Sequence, residues 1–318
     1  MKSGERRDAS KRSPAWVGQG QSILNAMFGD ALHERGNGLA IEMSCYRQGR
    51  KLPLTREGLS SVPLSGGEKL CVLVHGLGCN EGIWVFPGGG TYGTLLQRDF
   101  GYVPFYVRYN TGLPILDNGA RLATLLDELV TAYPAEVSEI VLVGHSMGGL
   151  VIRSACHVAG ERSSPWVTRV KRVFYLATPH GGADLERLAH LSSGVLQAIP
   201  NPVTGLIGDI LDLRSRGVKD LRRGAPANEA TGAALPWLVT ARHYLVLGTL
   251  TRDPDHPAGR LLGDSLVRVP RKRRAFAAAD GRSLPDDENV KVFPGVHHNE
   301  LAYSPAVYEK LKEWCGRE

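Results

Sequence analysis

The chain has 318 residues, 42% of them hydrophobic, enough to bury a domain-sized core, which excludes an intrinsically disordered protein. Its formal charge of +6 comes from mostly dispersed basic residues, with dense runs at 2–12 and 268–274 that read as a solvated tail and loop, so no nucleic-acid partner is expected. The five cysteines, Cys45, Cys71, Cys79, Cys156 and Cys315, are irregularly spaced without a CxxC pair; this excludes a disulfide framework and a zinc site and fits reduced thiols in a cytoplasm.

No signal-peptide pattern follows the basic start, and no run of about 18 apolar residues occurs, so a cytoplasmic protein without a transmembrane segment is expected. Residues 1–14 are polar and expected to be disordered. Ile23, Met27 and Ala31 fall four apart beside Leu24, Phe28 and Leu32, which predicts a helix from Trp16 to about Leu32. Its apolar face is expected to pack on the main domain; peripheral membrane contact through this helix, or through the cap described below, is the other reading. Residues 49–68, rich in Gly, Pro and Ser, read as a linker or hairpin. Residues 1–67 thus form an expected N-terminal extension and residues 68–318 the main domain.

From residue 70 onward, short apolar runs alternate with helical stretches. Strands are predicted at 70–74, 102–109, 140–143, 170–176, 244–247 and 290–293. Helices are predicted at 119–133, where Leu122, Leu125, Leu126 and Leu129 share a face ahead of Pro134, and at 151–159. This alternation predicts an α/β fold: a mostly parallel central sheet with helices on both faces. Ligands in such sheets sit beyond the carboxyl ends of the strands, so the segments that follow the strands carry the chemistry.

After the strand at 140–143 comes Gly144-His145-Ser146-Met147-Gly148-Gly149. A bare G-x-S-x-G arises by chance about 0.3 times in this composition. Its place between an apolar strand and an apolar helix is what marks a nucleophile elbow. Gly144 and Gly148 remove side chains that would crowd the turn, and a helix N-terminus favours negative charge at Ser146.

After the strand at 70–74 comes His75-Gly76-Leu77-Gly78. An oxyanion would be held by the Met147 N–H and by a second N–H from this loop, Leu77 first and Gly78 as the fallback. His75 is expected to hydrogen-bond within the loop rather than act as a base. The segment Ala177-Thr178-Pro179-His180 follows the strand at 170–176. Candidate pocket residues are His75, Gly76, Gly78, His145, Thr178 and His180. A carboxylate must orient the base; Asp253, Asp255 and Asp264 are available, and Asp264 is preferred for its tight turn into Leu266-Val267. The strand at 290–293 leads to His297-His298, either of which can shuttle the serine proton.

The motifs LVHGLG (73–78), LVGHSMGGLV (142–151), ATPHGG (177–182), GDSLV (263–267) and HHNELAYSPAVYEKLKEW (297–314) together resemble the lipase and esterase branch of the α/β-hydrolase superfamily. They are similar to bacterial hydrolases of the PGAP type, the GPI inositol deacylase-like proteins. The resemblance covers about residues 68–318 and implies an α/β-hydrolase fold with Ser146 as nucleophile, Asp264 as acid and His298 as base. His298 fits the family frame, with Leu301 three residues on and Pro305 beyond; His297 stands one residue out of register.

Residues 183–242 are too long for a simple crossover and are expected to form a helical cap. Leu185, Leu188, Leu191, Val195 and Leu196 lie among its apolar positions. The expected activity is hydrolysis of small-molecule or lipid carboxylic esters through an acyl-enzyme, with no cofactor and no metal. A thioesterase or acyltransferase using the same triad is the alternative, and a non-catalytic binding protein on the same scaffold a further one.

Overall fold

The computed structural model describes residues 15–47, 49–60, 68–181, 215–224, 226, 234–251 and 287–317. Eight strands form one sheet: β1 (Ser44–Arg47), β2 (Arg50–Lys51), β3 (Lys69–Val74), β4 (Val103–Arg108), β5 (Glu139–His145), β6 (Val170–Leu176), β7 (Arg242–Thr249) and β8 (Val290–Pro294), in the order β2-β1-β4-β3-β5-β6-β7-β8. β3 to β8 run parallel, whereas β1 pairs antiparallel with both β2 and β4. Residues 44–51, within the segment expected as an N-terminal extension, supply the edge strand β2 and its neighbour β1.

The apolar runs of β3, β5 and β7 are wholly buried because both faces of the sheet are covered there. Leu70, Val72 and Val74 alternate with Cys71 and Leu73, and the two sets enter different cores. The first core holds Leu122, Leu126 and Leu129 of α4 (Ile115–Ala132) and Leu150, Val151 and Ala155 of α5 (Met147–Glu161). The second holds Tyr92 and Leu96 of α3 (Tyr92–Phe100) and Val307, Leu311 and Trp314 of a helix at Pro305–Cys315.

Three further α-helices among the described residues are α1 (Ala15–Glu34), α2 (Arg56–Ser60) and α6 (Arg216–Arg223), the Pro305–Cys315 helix being α7. α1 buries Ile23, Ala26 and Met27. It lies against the segment that leaves β4 and against the start of α6: Asn110 Nδ2 donates to Gly29 O at 2.8 Å, and Ser215 Oγ donates to Ala26 O at 2.6 Å. Among the described residues no helix is long and apolar enough to cross a membrane.

α4 starts four residues before the helix predicted at 119–133. Its first turn is held from outside: the Asp220 carboxylate accepts from the Ile115 N–H at 3.0 Å, and Asn118 Nδ2 donates to Asn110 O and Leu113 O. Most of the expected cap at 183–242 lies outside the described residues. The chain moves outward from β3 to β4 and returns across β3 to β5, so the connections after β3 and β5 diverge. That divergence opens a crevice at the carboxyl ends of these two strands.

Candidate active site

Ser146 occupies this crevice between the last residue of β5 and the first of α5. Its backbone takes φ 53 and ψ −124, a conformation that side-chain-bearing residues rarely adopt. Two hydrogen bonds hold the turn: the Ser146 N–H donates to Leu176 O at 2.8 Å, and the Gly149 N–H to Ser146 O at 3.1 Å. The flanking glycines are required by close approach. A Cβ on Gly148 would lie 2.2 Å from Val74 O, and one on Gly144 would lie 2.5 Å from Gly149 Cα. Met147 opens α5, so its N–H has no carbonyl one turn back, and the helix dipole adds positive potential at this end.

The loop after β3 packs directly on the elbow. A Cβ on Gly76 would lie 2.9 Å from Ser146 Cβ and 3.1 Å from His145 Nδ1. Within the loop, Gly76 O accepts from His75 Nδ1 at 2.9 Å and from the Cys79 N–H at 3.2 Å. A trans peptide sets its C=O and N–H in opposite directions, so these bonds turn the Leu77 N–H away from the loop interior. Among the described residues, neither the Leu77 nor the Met147 N–H has a hydrogen-bond partner. The fallback donor is engaged: the Gly78 N–H donates to Thr111 Oγ1 at 3.2 Å.

His75 is fully buried, stacked on Tyr109 with ring centroids 4.6 Å apart, while Tyr109 Oη donates to His75 O at 2.9 Å. Burial lowers its pKa to about 4, so the ring is neutral, with the Nδ1 hydrogen on Gly76 O. The motifs alone do not show the bracing by Tyr109 and Thr111. Its signal is Tyr109-Asn110-Thr111-Gly112, the polar segment that follows β4 and meets the same crevice.

The segment after β8 meets the elbow from the other side. His145 Nε2 donates to His298 O at 3.0 Å, and the two rings stand 4.9 Å apart. His298 is buried and His297 exposed, so of the adjacent pair only His298 turns inward. After β6, Thr178 packs on the first turn of α5, where a Cβ on Gly149 would meet its Oγ1 at 2.1 Å. His180 is wedged between Tyr175 and Trp237, with ring centroids 4.9 and 4.8 Å away. Arg153 of α5 lies 4.2 Å over the Trp237 ring and donates to Leu235 O. Asp253, Asp255 and Asp264 lie outside the described residues.

All five cysteines are free, and burial raises every thiol pKa, so none supplies a thiolate beside Ser146. Among the described residues no group of three or more His, Cys, Asp or Glu side chains is placed to hold a metal ion. An open cavity of about 500 Å³ lies between Phe86, Leu95, Glu300, Tyr303 and Pro305, and none of the expected site residues lines it.

The sequence model of the alpha/beta hydrolase family matches residues 71–310. A search of curated protein sequences returned no match. Among solved structures, the mature lipase BlEst2 of Bacillus licheniformis is 20% identical, with a TM-score of 0.48 over 77% of this chain and 92% of that one. The Pyrococcus furiosus esterase Pf2001 is 14% identical, with a TM-score of 0.44 over 80% of each chain. A thermophilic esterase from Thermogutta terrifontis is also 14% identical, with a TM-score of 0.39 over 78% of this chain and 89% of that one.

Proposed function

Because the chain belongs to the alpha/beta hydrolase family, we propose that it is a serine hydrolase that cleaves carboxylic esters, with Ser146 as its nucleophile. The observation that carries this reading is the backbone of Ser146. A non-glycine residue sits at φ 53 on a helix N-terminus, with the Gly76–Leu77 peptide packed against it. Such strain is retained where a side chain must be presented at a fixed angle.

In the proposed reaction, His298 takes the Ser146 proton as Oγ attacks the ester carbonyl. The carbonyl oxygen becomes an oxyanion held by the Leu77 and Met147 N–H groups. Collapse expels the alcohol, which receives the proton from His298 and leaves an acyl-Ser146. Water, deprotonated by His298, attacks that ester and releases the acid. Asp264 is assigned to orient His298; its place in Gly263-Asp264-Ser265 between the sequences of β7 and β8 supports this role. Buried His298 beside His145 supports His298 over His297.

The acyl group is proposed to be apolar. The leucine-rich sequence at 183–211 and the likeness of the motifs to PGAP-type deacylases support a lipid or other apolar ester. The five free thiols support a cytoplasmic setting.

Turnover of p-nitrophenyl esters of increasing acyl length tests the reading. The wild type is expected to hydrolyse them with an optimum chain length, and Ser146→Ala to lose about a thousandfold or more in kcat. Equal rates for the two proteins would reject it.

A further inference from the structure

α1 reaches the loop assigned to the oxyanion through a side-chain amide. Gln19 Nε2 donates to Gly78 O at 3.0 Å, and Gln19 Oε1 accepts from Asn80 Nδ2 at 3.2 Å. Asn80 Oδ1 in turn accepts from the Gly82 N–H at 2.9 Å, at the start of the 3-10 turn Glu81–Trp84. Both polar atoms of the Gln19 amide are therefore committed to the segment that leaves β3.

Peptide geometry carries this contact to the crevice. In a planar trans peptide, fixing the oxygen aims the N–H of the same plane. Gln19 fixes the oxygen of the Gly78–Cys79 peptide, whose other end, the Cys79 N–H, donates to Gly76 O. Gly76 O belongs to the peptide whose other end is the Leu77 N–H. The Gln19 amide thus acts two peptide planes away from the assigned oxyanion donor. Gly78 has no side chain to pack and takes φ 68, so hydrogen bonds must set its orientation. The platform behind Gln19 does not depend on any one bond, because α1 is held separately by Asn110 and by Ser215. Its backbone also runs so close to the segment after β4 that a Cβ on Gly112 would lie 2.1 Å from Asn25 O.

We propose that Gln19 is a positioning residue: anchored on α1, its amide fixes the Gly78–Cys79 peptide and thereby keeps the Leu77 N–H aimed at the carbonyl oxygen that Ser146 attacks. This proposal rests on the serine-hydrolase reading above.

Three variants of the full chain test it. Gln19→Met keeps the length and loses both hydrogen bonds. Gln19→Glu keeps the acceptor for Asn80 and loses the donor to Gly78, and it serves where the first variant fails to fold. Ser215→Ala removes a separate anchor of α1 that does not touch the loop. For each, kcat and KM on p-nitrophenyl butyrate are normalised to the sites that label with a fluorophosphonate at completion, and thermal midpoints are recorded. Both Gln19 variants are expected to lose about ten- to a hundredfold in kcat with KM within about twofold, while Ser215→Ala keeps the wild-type kcat. Unchanged kcat in the Gln19 variants, or an equal loss in Ser215→Ala, overturns the proposal. A wild type that neither turns over the ester nor labels overturns the hydrolase reading itself, and the proposal with it.

Discussion

Ser146 sits in a backbone region that costs a side-chain-bearing residue about 1–3 kcal/mol. The cost is sustained because the surroundings leave the turn no alternative: β6 takes its N–H, α5 starts immediately after it, and the loop after β3 presses on its side chain. Gly148 is where one methyl group tests this packing. A Cβ there would lie 2.2 Å from Val74 O and 2.5 Å from His75 O, and backbone oxygens cannot swing aside. Gly148→Ala is expected to lose about 2–3 kcal/mol in urea unfolding and to lose esterase activity, because the clash drives the loop at 75–78 off the elbow. A variant within about 0.5 kcal/mol of wild type and fully active would contradict this packing account.

Elements were legible in proportion to how local their causes are. Parallel strands buried on both faces read as apolar runs, so β3, β5 and β7 stand out in the sequence. β1 does not, because Ser44-Cys45-Tyr46-Arg47 is short and mixed in polarity, and only its pairing with β4 makes it a strand. α3 carries local signals, a Thr91–Thr94 capping box and a left-handed Gly101 at its end. The start of α4 has no side-chain cap of its own, and its Ile115 N–H is taken by Asp220, 105 residues away. The candidate site divides in the same way. Ser146 and the loop at 75–78 are legible because a motif follows a strand. The grips on that loop by Gln19, Tyr109 and Thr111 come from residues 59, 34 and 33 positions distant, and only the fold brings them together. Asp264 and most of 183–242 stand on sequence alone.

At the scale of the molecule, three histidines are carried neutral, His75 and His180 buried and His243 half-buried. Burial lowers the pKa of His75 and of His243 to about 4; it takes His180 well below its ordinary value, with Arg153 adding to the effect. In the unfolded chain each returns to about 6.5. The unfolded state therefore binds more protons between about pH 6.5 and pH 4. The stability these groups contribute is complete above that window and is lost as pH falls through it. The thermal midpoint is expected to be flat from about pH 7 to 8 and to fall steadily below about 6.5, less steeply in His243→Gln. A midpoint that holds or rises on acidification would contradict this. The same sheet that encloses these rings brings β3 and β5 to the crevice where Ser146 is assigned its chemistry. The most direct test of that assignment is mass-spectrometric mapping of a fluorophosphonate adduct on the folded full-length protein. The account predicts a single adduct, on Ser146, that is absent from Ser146→Ala; no adduct, or one elsewhere with Ser146 unmodified, would contradict it.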